Sequence, residues 1–73
     1  MKLITMLNKL ELELNTAVAV FDMNLSSPLF VGLLGQVTFE LLNREVDGIK
    51  FETGKVTYKE EELYYEMKIV LKS

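Results

Sequence analysis

Residues 9 to 20 read KLELELNTAVAV, and this stretch decides the fold because it is compatible with both a helix and a pair of strands. Taken by itself, it alternates polar and apolar side chains as far as Leu14 and continues with the valine-rich segment Ala17 to Val20. Asn15-Thr16 lies between the two halves and can form a turn. This alternation is typical of a β-hairpin, so a hairpin over residues 9 to 21 is one interpretation.

Taken with its neighbours, the same stretch belongs to an amphipathic helix. Apolar side chains recur at spacings of four and three residues from Leu3 to Phe21, and Ile4 and Val18 widen this stripe. The content of Leu, Lys, Glu and Met also favours a helix. We therefore predict a helix over residues 2 to 22 and keep the hairpin as the alternative.

A break from Asn24 to Pro28 precedes a second predicted helix. Ser27 is placed to cap its first turn, and Pro28 can occupy the first helical position without losing a needed donor. The helix is predicted to run from Pro28 to about Arg44. It has two apolar faces, the first with Phe30, Leu33, Leu34, Val37 and Leu41 and the second with Val31, Gly32, Gly35, Phe39 and Leu42. Such a helix must be covered on most of its circumference.

From Asp47-Gly48 onward the periodicity changes to two, which predicts strands. A hairpin loop at Thr53-Gly54 joins the first two predicted strands, and a second turn around Glu60-Glu61 leads into the third. In this register Val56 lies opposite Tyr65, and every apolar side chain meets an apolar one. A slip by one residue would reverse the faces, so the pattern specifies the register.

These elements predict one α+β domain over residues 1 to 73, with two N-terminal helices packed on a C-terminal three-stranded antiparallel meander in the order ααβββ. The last strand, at about 63 to 71, is longer than its neighbour, which leaves Lys68 to Leu71 unpaired. Those residues can pair with an N-terminal strand if the first segment is β, or with the same strand of a second subunit.

The residue types exclude the commonest catalytic and metal-binding chemistry. The chain has no Cys and no His, so it can form no disulfide, no thiolate zinc site and no catalytic triad. The carboxylates of Glu60-Glu61-Glu62 remain as candidates for acid–base catalysis or metal binding. Adjacent like charges at a turn are, however, typical of a solvated loop. The glycines Gly32 and Gly35 lack the Lys-Ser/Thr ending of a phosphate-binding loop. We predict no enzymatic activity, no cofactor and no metal.

The charge pattern bears on partners and location. The formal net charge of −3 weighs against a nucleic-acid binder, because such proteins need a basic face. Residues 23 to 39 carry no charge, but Asn, Ser, Pro, Gln and Thr make this run too polar to cross a bilayer. Asn8 and Lys9 interrupt the N-terminal apolar run before it reaches signal-peptide length. We predict no transmembrane span and a cytoplasmic location.

Hydrophobic residues make up 49% of the 73 positions, which is more than so small a body can bury by itself. We expect a second copy or an unidentified protein partner to cover the excess. The predicted partner or dimer interface consists of Val31, Gly32, Gly35, Phe39, Leu42, Tyr64 and Val70. The favoured function is a small non-enzymatic protein-interaction module that forms a homodimer.

Two alternatives stay open. The outer face of the meander would carry Tyr64 beside several lysines, which suits a nucleic-acid-binding module that stacks a base on the ring. Residues 25 to 42 can instead associate with a membrane surface, or with an apolar ligand in a pocket beside Phe39. In size, lack of Cys and His, and Lys/Glu/Leu-rich composition, the chain resembles the short accessory proteins of bacteriophages and mobile elements, although no specific motif carries this resemblance.

Overall fold

The computed structural model describes residues 1 to 73 and contains six strands, one helix of eight residues, a single helical turn and a 3-10 turn. In chain order these are α1 (Leu3–Leu10), β1 (Ala17–Asp22), β2 (Pro28–Leu33), the 3-10 turn (Leu34–Gln36), α2 (Phe39–Leu42), β3 (Val46–Lys50), β4 (Gly54–Tyr58), β5 (Glu61–Tyr65) and β6 (Met67–Leu71). Four strands form one sheet in the order β2-β1-β6-β3, and β4 and β5 form a separate hairpin. The predicted ααβββ arrangement of two helices on a three-stranded meander is therefore wrong.

Strand β1 lies inside the four-stranded sheet and pairs on both sides. It is antiparallel to β2, with Ala19 opposite Val31, and parallel to β6, with Val20 opposite Ile69. Val18, Ala19 and Val20 are all completely buried, so both faces of the strand are covered. A strand covered on both faces shows a continuous apolar run instead of alternation, which is the pattern of this segment.

The predicted helix over residues 2 to 22 is wrong beyond Leu10, where α1 ends. Glu11 terminates the helix in a left-handed conformation with a φ of 52°. The alternative hairpin over residues 9 to 21 does not form either, because residues 11 to 16 form a connecting loop. Intrinsic helix preferences differ by only about 0.7 kcal/mol per residue, so strand pairing from two sides overrides them where the valines favour a strand.

The predicted helix from Pro28 to about Arg44 is also wrong, since β2, the 3-10 turn and α2 occupy this span. Pro28 stands at the first position of an edge strand, where proline costs no ladder hydrogen bond. Phe30 and Val31 favour a strand, and Gly32 destabilises a helix interior by about 1 kcal/mol relative to Ala. The apolar residues of the expected two-faced helix are therefore divided among a strand, a turn and one helical turn.

The predicted meander is replaced by two separate pairings. Strand β3 pairs with β6 and not with β4, so no hairpin loop forms at Thr53-Gly54. The last predicted strand divides at Glu66, and its two halves belong to different sheets. This division buries Met67, Ile69 and Leu71 completely in the core. Strand β6 pairs with the N-terminal strand β1. This pairing is the alternative that the sequence leaves open in case the first segment forms a strand.

The β4–β5 hairpin keeps its predicted faces in a register shifted by two residues. Val56 lies opposite Leu63 instead of Tyr65, and the turn is at Lys59-Glu60 instead of Glu60-Glu61. A shift by two preserves the side on which each side chain lies, because side chains alternate with a period of two. The half-buried Val56, Leu63 and Tyr65 therefore share one face of the hairpin, as predicted.

One face of the four-stranded sheet packs against α1, the 3-10 turn and α2. The hydrophobic core on this face consists of Leu3, Val18, Val20, Leu34, Val37, Val46, Met67, Ile69 and Leu71. Helix α1 is attached at its start, where the Leu3 amide donates to the Arg44 carbonyl at 2.9 Å. The core thus joins segments from both ends of the chain, and residues far apart in sequence stabilise one another.

The β4–β5 hairpin covers the opposite face of the sheet. Ala19 and Val31 point away from the core face into which Val20 points, yet both are buried. The hairpin lies against β1 and β2, and the Tyr58 hydroxyl donates to the Leu29 carbonyl at 3.4 Å. Over β1 and β2 the sheet is therefore the middle of three layers.

The core assignment is tested by a matched pair of methionine truncations. Met67 is completely buried in β6, whereas Met23 is exposed in the loop after β1. Met67→Ala should lower the free energy of unfolding by about 2–5 kcal/mol, and Met23→Ala by less than about 0.5 kcal/mol. Urea denaturation followed by circular dichroism measures both. Equal effects of the two substitutions would contradict the placement of β6 in the core.

The turn between β4 and β5 supplies a second test. Lys59 and Glu60 have positive φ values of 50° and 68°, the geometry that a two-residue type I′ turn demands and that Asn-Gly prefers. Replacing the pair by Asn-Gly should raise the free energy of unfolding by about 1 kcal/mol, because the backbone strain at these positions is relieved. The same dipeptide at Glu52-Thr53, where neither φ is positive, is the control and should give no gain. A gain at both places would show that turn strain is not the cause.

Candidate apolar binding groove

An apolar groove of about 230 Å³ lies between α1, the loop that follows it, the 3-10 turn and α2. Its lining consists of Ile4, Leu7, Asn8, Leu12, Leu14, Leu34, Gly35, Val37 and Leu42. Seven of these nine residues are hydrophobic, and none carries an ionisable side chain. The groove therefore offers apolar contact and no group for acid, base or nucleophilic chemistry.

Helix α1 and the following loop form one wall of this groove. Ile4, Leu7 and Asn8 stand three and four positions apart, so they lie on one side of the helix. After the helix ends, the loop turns back toward the 3-10 turn and places Leu12 and Leu14 along the same wall. Leu14 is 71% exposed, so an apolar side chain stands at the rim in contact with water.

Gly35 allows the loop and the 3-10 turn to approach closely. Its amide donates to the Leu14 carbonyl at 2.8 Å, and the Leu34 amide donates to the Thr16 carbonyl at 2.8 Å. A Cβ atom at position 35 would lie 3.1 Å from the Leu14 Cβ and 3.3 Å from its carbonyl oxygen, which is tighter than most such contacts. A glycine at this position therefore sets the shape of the groove.

Helix α2 adds a second exposed apolar side chain near the opposite wall. Leu42 is half-buried in the lining, and Phe39 precedes it by three residues, which places both on the same side of the helical turn. Phe39 does not line the groove and is 76% exposed. The groove and its surroundings form a surface on which large apolar side chains lack a cover.

The size of the groove indicates what can enter it. Pockets for drug-sized molecules measure about 300–1,000 Å³, so a volume of about 230 Å³ falls below that range. One or two apolar side chains of another protein are a better match to this size and lining. Asn8 supplies the single polar side chain in the lining and can donate or accept one hydrogen bond at the edge.

A second groove of about 250 Å³ lies on the hairpin side of the sheet, next to the end of β1. It is lined by Phe21, Asp22, Met23, Leu25, Ser26, Lys68 and Val70. The Lys68 Nζ atom stands 5.0 Å from the centre of the Phe21 ring, within the range of a cation–π contact. Because charges of both signs border it, this groove is less apolar than the first.

Asp22 in this region anchors three segments of the chain. Its carboxylate accepts hydrogen bonds from the Arg44 guanidinium at 2.6 Å and from the backbone N–H of Asn24 at 2.8 Å. Arg44 also donates to the Lys72 carbonyl at 2.7 Å. The hydrogen bond from Arg44, followed by the one from Asn24, holds the pKa of Asp22 below its usual value. Ends of β1, α2 and β6 are thereby fastened together.

The structure distributes the predicted interface residues over several places. Gly35 and Leu42 line the first groove, and Phe39 stands beside it. Val31 and Gly32 lie in the edge strand β2, where Val31 is buried. The helix face that would have grouped these five residues does not exist.

The two remaining predicted residues lie on other surfaces. Val70 lines the second groove. Tyr64 is exposed on the outer face of the hairpin, where the Lys55 Nζ atom stands 5.2 Å from the centre of its ring. Lys55 also forms an ion pair with Glu62 at 2.7 Å. Hydrogen bonds from Lys55 to Glu62 and to Tyr64 raise the pKa of Lys55.

The single lysine-bearing face that the meander predicted does not form. Lys50 and Lys68 lie opposite each other on β3 and β6, whereas Lys55 belongs to the hairpin and Lys59 to its turn. Lys59 stands 5.3 Å from the centre of the Tyr58 ring. The nucleic-acid hypothesis needs these lysines on one face to bind phosphates. In the structure they are divided between two sheets, and some of them contact aromatic rings of the same chain.

The α1 side of the groove was not anticipated from the sequence. The predicted helix over residues 2 to 22 includes Leu12 and Leu14, and in that helix Leu12 points away from the apolar stripe. This misfit and the alternation from Lys9 to Leu14 are the two signs in the sequence that the helix stops before residue 12. The contact between Leu14 and Gly35 joins segments with no local pattern in common, so nothing in the sequence indicated it.

No protein-family model, no curated protein and no solved structure matches this chain. The structure contains no helix that is both long enough and apolar enough to cross a membrane. Acidic side chains do not come together in a group of three or more that could hold a metal ion. The geometry of the two grooves and of the strand edges is therefore the basis for the functional interpretation.

The Asp22–Arg44 pair predicts a dependence of stability on acidic pH. Because the pKa of Asp22 is lower in the folded chain than in the unfolded one, its stabilising contribution is complete above about pH 4 and is lost as the pH falls through the folded-state pKa. The pKa of Glu45 is lowered too, by the terminal ammonium group of Met1, and acts in the same direction. The urea midpoint of the native sequence should therefore drop between about pH 6 and about pH 3.

Variants separate the contribution of Asp22 from that of Glu45. Asp22→Asn should lower the urea midpoint at about pH 6 and should reduce the further drop toward about pH 3. The part of the drop that is due to Glu45 should remain. Glu40→Gln, at an exposed carboxylate outside the ion pairs, is the control and should leave the drop unchanged. An unchanged drop in Asp22→Asn would contradict the role assigned to the pair.

Proposed function

We propose that this chain is a small non-enzymatic protein-interaction module that forms a homodimer, and that its first groove takes one or two apolar side chains of a partner protein. The observation that carries the proposal is the groove itself, which is apolar, lacks ionisable groups and has the exposed Leu14 at its rim. The compositional resemblance to short accessory proteins of bacteriophages and mobile elements, and a cytoplasmic location, belong to the same proposal.

The energetics of apolar burial support a protein partner. Covering one large apolar side chain contributes about 1.5–3 kcal/mol, so Leu14 and Phe39 together supply a useful share of a modest affinity. A protein also presents apolar side chains on a rigid backbone, which lowers the entropy lost on binding. The groove volume of about 230 Å³ suits such side chains better than it suits a whole small molecule.

The proposal does not include catalysis, a cofactor or a metal. The side chains that line the groove cannot exchange protons at ordinary pH, and the sequence supplies neither His nor Cys. The three consecutive carboxylates Glu60, Glu61 and Glu62 are exposed at the far end of the hairpin, at its turn and at the start of β5. Their exposure to solvent supports the interpretation of this run as a solvated surface.

A matched pair of surface charges tests the role of the groove. Leu14→Asp puts a charge at the rim of the first groove, and Leu25→Asp puts one at the second groove, where Leu25 is 55% exposed. Both side chains are exposed, so neither substitution should prevent folding. Tagged native protein and Leu25→Asp should recover the same partner from the native host, and Leu14→Asp should recover it at least about tenfold less. Quantitative mass spectrometry measures the recovery.

A direct measurement on the isolated protein accompanies the capture experiment. Isopropanol, a small mimic of Leu and Val side chains, should shift the amide resonances of groove residues such as Leu7, Leu14 and Gly35 in two-dimensional NMR spectra. The shifts should vanish in Leu14→Asp and persist in Leu25→Asp. Equal recovery of every protein by both variants, or isopropanol shifts spread evenly over the chain, would contradict the assignment.

A further inference from the structure

The two edges of the four-stranded sheet differ in how they are protected. At the β3 edge the pairing is interrupted by a bulge between Val46 and Gly48, and Asp47 and Lys50 place charges along the strand. The N-terminal segment also covers the start of β3, since the backbone of Lys2 forms an isolated antiparallel β-bridge with that of Glu45. Bulges, charges and covering segments are the devices by which proteins block an exposed edge.

The β2 edge has such devices only near its start, where Pro28 is the first residue and a bulge in the pairing with β1 leaves Leu29 without a partner residue. Its sequence is Pro28-Leu29-Phe30-Val31-Gly32-Leu33, and it lies inside the uncharged run from residue 23 to residue 39. Pro28 blocks pairing only at the start of the strand. From Leu29 to Leu33 the edge carries apolar side chains and no charge to repel another strand.

The hydrogen-bond pattern shows which backbone groups of β2 remain free. The Leu34 amide donates to the Thr16 carbonyl, so this residue pair is a hydrogen-bonded one. Hydrogen-bonded and non-hydrogen-bonded pairs alternate along an antiparallel ladder, so the next hydrogen-bonded pair is Gly32 with Val18. The amide and carbonyl of Val31 and of Leu33 therefore point away from β1, toward the edge. No hydrogen bond outside the ladder engages the Val31 amide, the Val31 carbonyl or the Leu33 amide, whereas the Leu33 carbonyl, at the N-cap, accepts the first hydrogen bond of the 3-10 turn.

The chain itself covers the side chains of this segment to different extents. Val31 is only 7% exposed and Leu33 is 41% exposed. A second strand would therefore bond to the outward backbone amides of the edge and would bury little further surface of Val31. Phe30 packs its ring over Gly32, with a ring atom 3.0 Å from where a Cβ would stand, so the core side of the strand is filled by the chain itself.

We infer that β2 is the dimerisation edge, and that β2 of a second copy pairs with it antiparallel about a two-fold axis. This inference specifies the surface of the homodimer in the proposed function and is independent of the groove. In such a pair each strand faces itself, so any charge in the strand would lie near the same charge of its mate. Each copy carries a net charge of −3, and the strand at the axis carries none of it. The uncharged edge is therefore suited to another copy of this chain.

Proline at position 33 tests the inference at the backbone. Leu33 has a φ of −80°, which proline can adopt, and its outward amide takes no part in the ladder with β1. Leu33→Pro removes that donor, whereas the control Leu33→Ala shortens the same side chain and keeps the donor. Sedimentation equilibrium should show the native chain and Leu33→Ala as dimers at about 100 μM, with a dissociation constant at least about tenfold higher for Leu33→Pro.

The other outcomes are decisive as well. A native chain that sediments as a monomer of 8.4 kDa at that concentration would overturn the inference and the homodimer together. A dimer of unchanged strength in Leu33→Pro would overturn the β2 edge while leaving a homodimer through another surface. If circular dichroism shows that Leu33→Pro is misfolded, Leu33→Lys replaces it, since its charge meets itself across the axis, and an undiminished dimer would then overturn the inference. Leu14→Asp should remain a dimer, which separates this result from failure of the groove proposal.

Discussion

The parallel pairing of β1 with β6 is the contact on which the rest of the structure depends. Val20 lies opposite Ile69 in this pair, and both side chains are completely buried. Strands β2 and β3 have no other neighbours in the sheet than these two central strands, and the helices pack on the face that the pair creates. Because the two strands are far apart in sequence, their pairing closes most of the chain into one loop, at an entropic cost that burial of both strands must exceed.

The sequence predicted the parts of the fold that depend on neighbouring residues. Helix α1 begins where the leucine stripe begins, and the hairpin side chains from Val56 to Tyr65 lie on their predicted faces. The sequence favoured a helix over β1 and offered the strand only as half of the alternative hairpin, because a strand buried on both faces has no alternation and its valines extend the spacing of the leucine stripe. Glu11 ends the helix in a left-handed conformation that glycine or asparagine usually adopts, so the usual stop signal is missing as well.

The predicted interface residues lie on several surfaces of the structure, and their contact with a partner stays a prediction. Gly35 is a predicted interface residue because a glycine in an apolar helix needs a packing explanation, and Leu42 because it lies close to the same predicted face. Both line the groove. Their predicted partners on a helix face, Val31 and Gly32, turned out to lie in an edge strand. The need for a cover over the apolar residues of this segment stays a prediction, and the kind of cover depends on the strand geometry. Leu14 was missed because its position follows from a contact between distant segments.

Backbone nuclear Overhauser effects measured on the isotope-labelled chain test the β1–β6 pair most directly. Parallel pairing predicts interstrand effects between the amide and α protons of residues 18 to 22 and those of residues 67 to 71, together with slow hydrogen exchange of amides in both segments. A continuous helix through residues 11 to 22, seen as contacts between each α proton and the amide three residues later, would contradict the pairing. The absence of any interstrand effect between the two segments would contradict it equally.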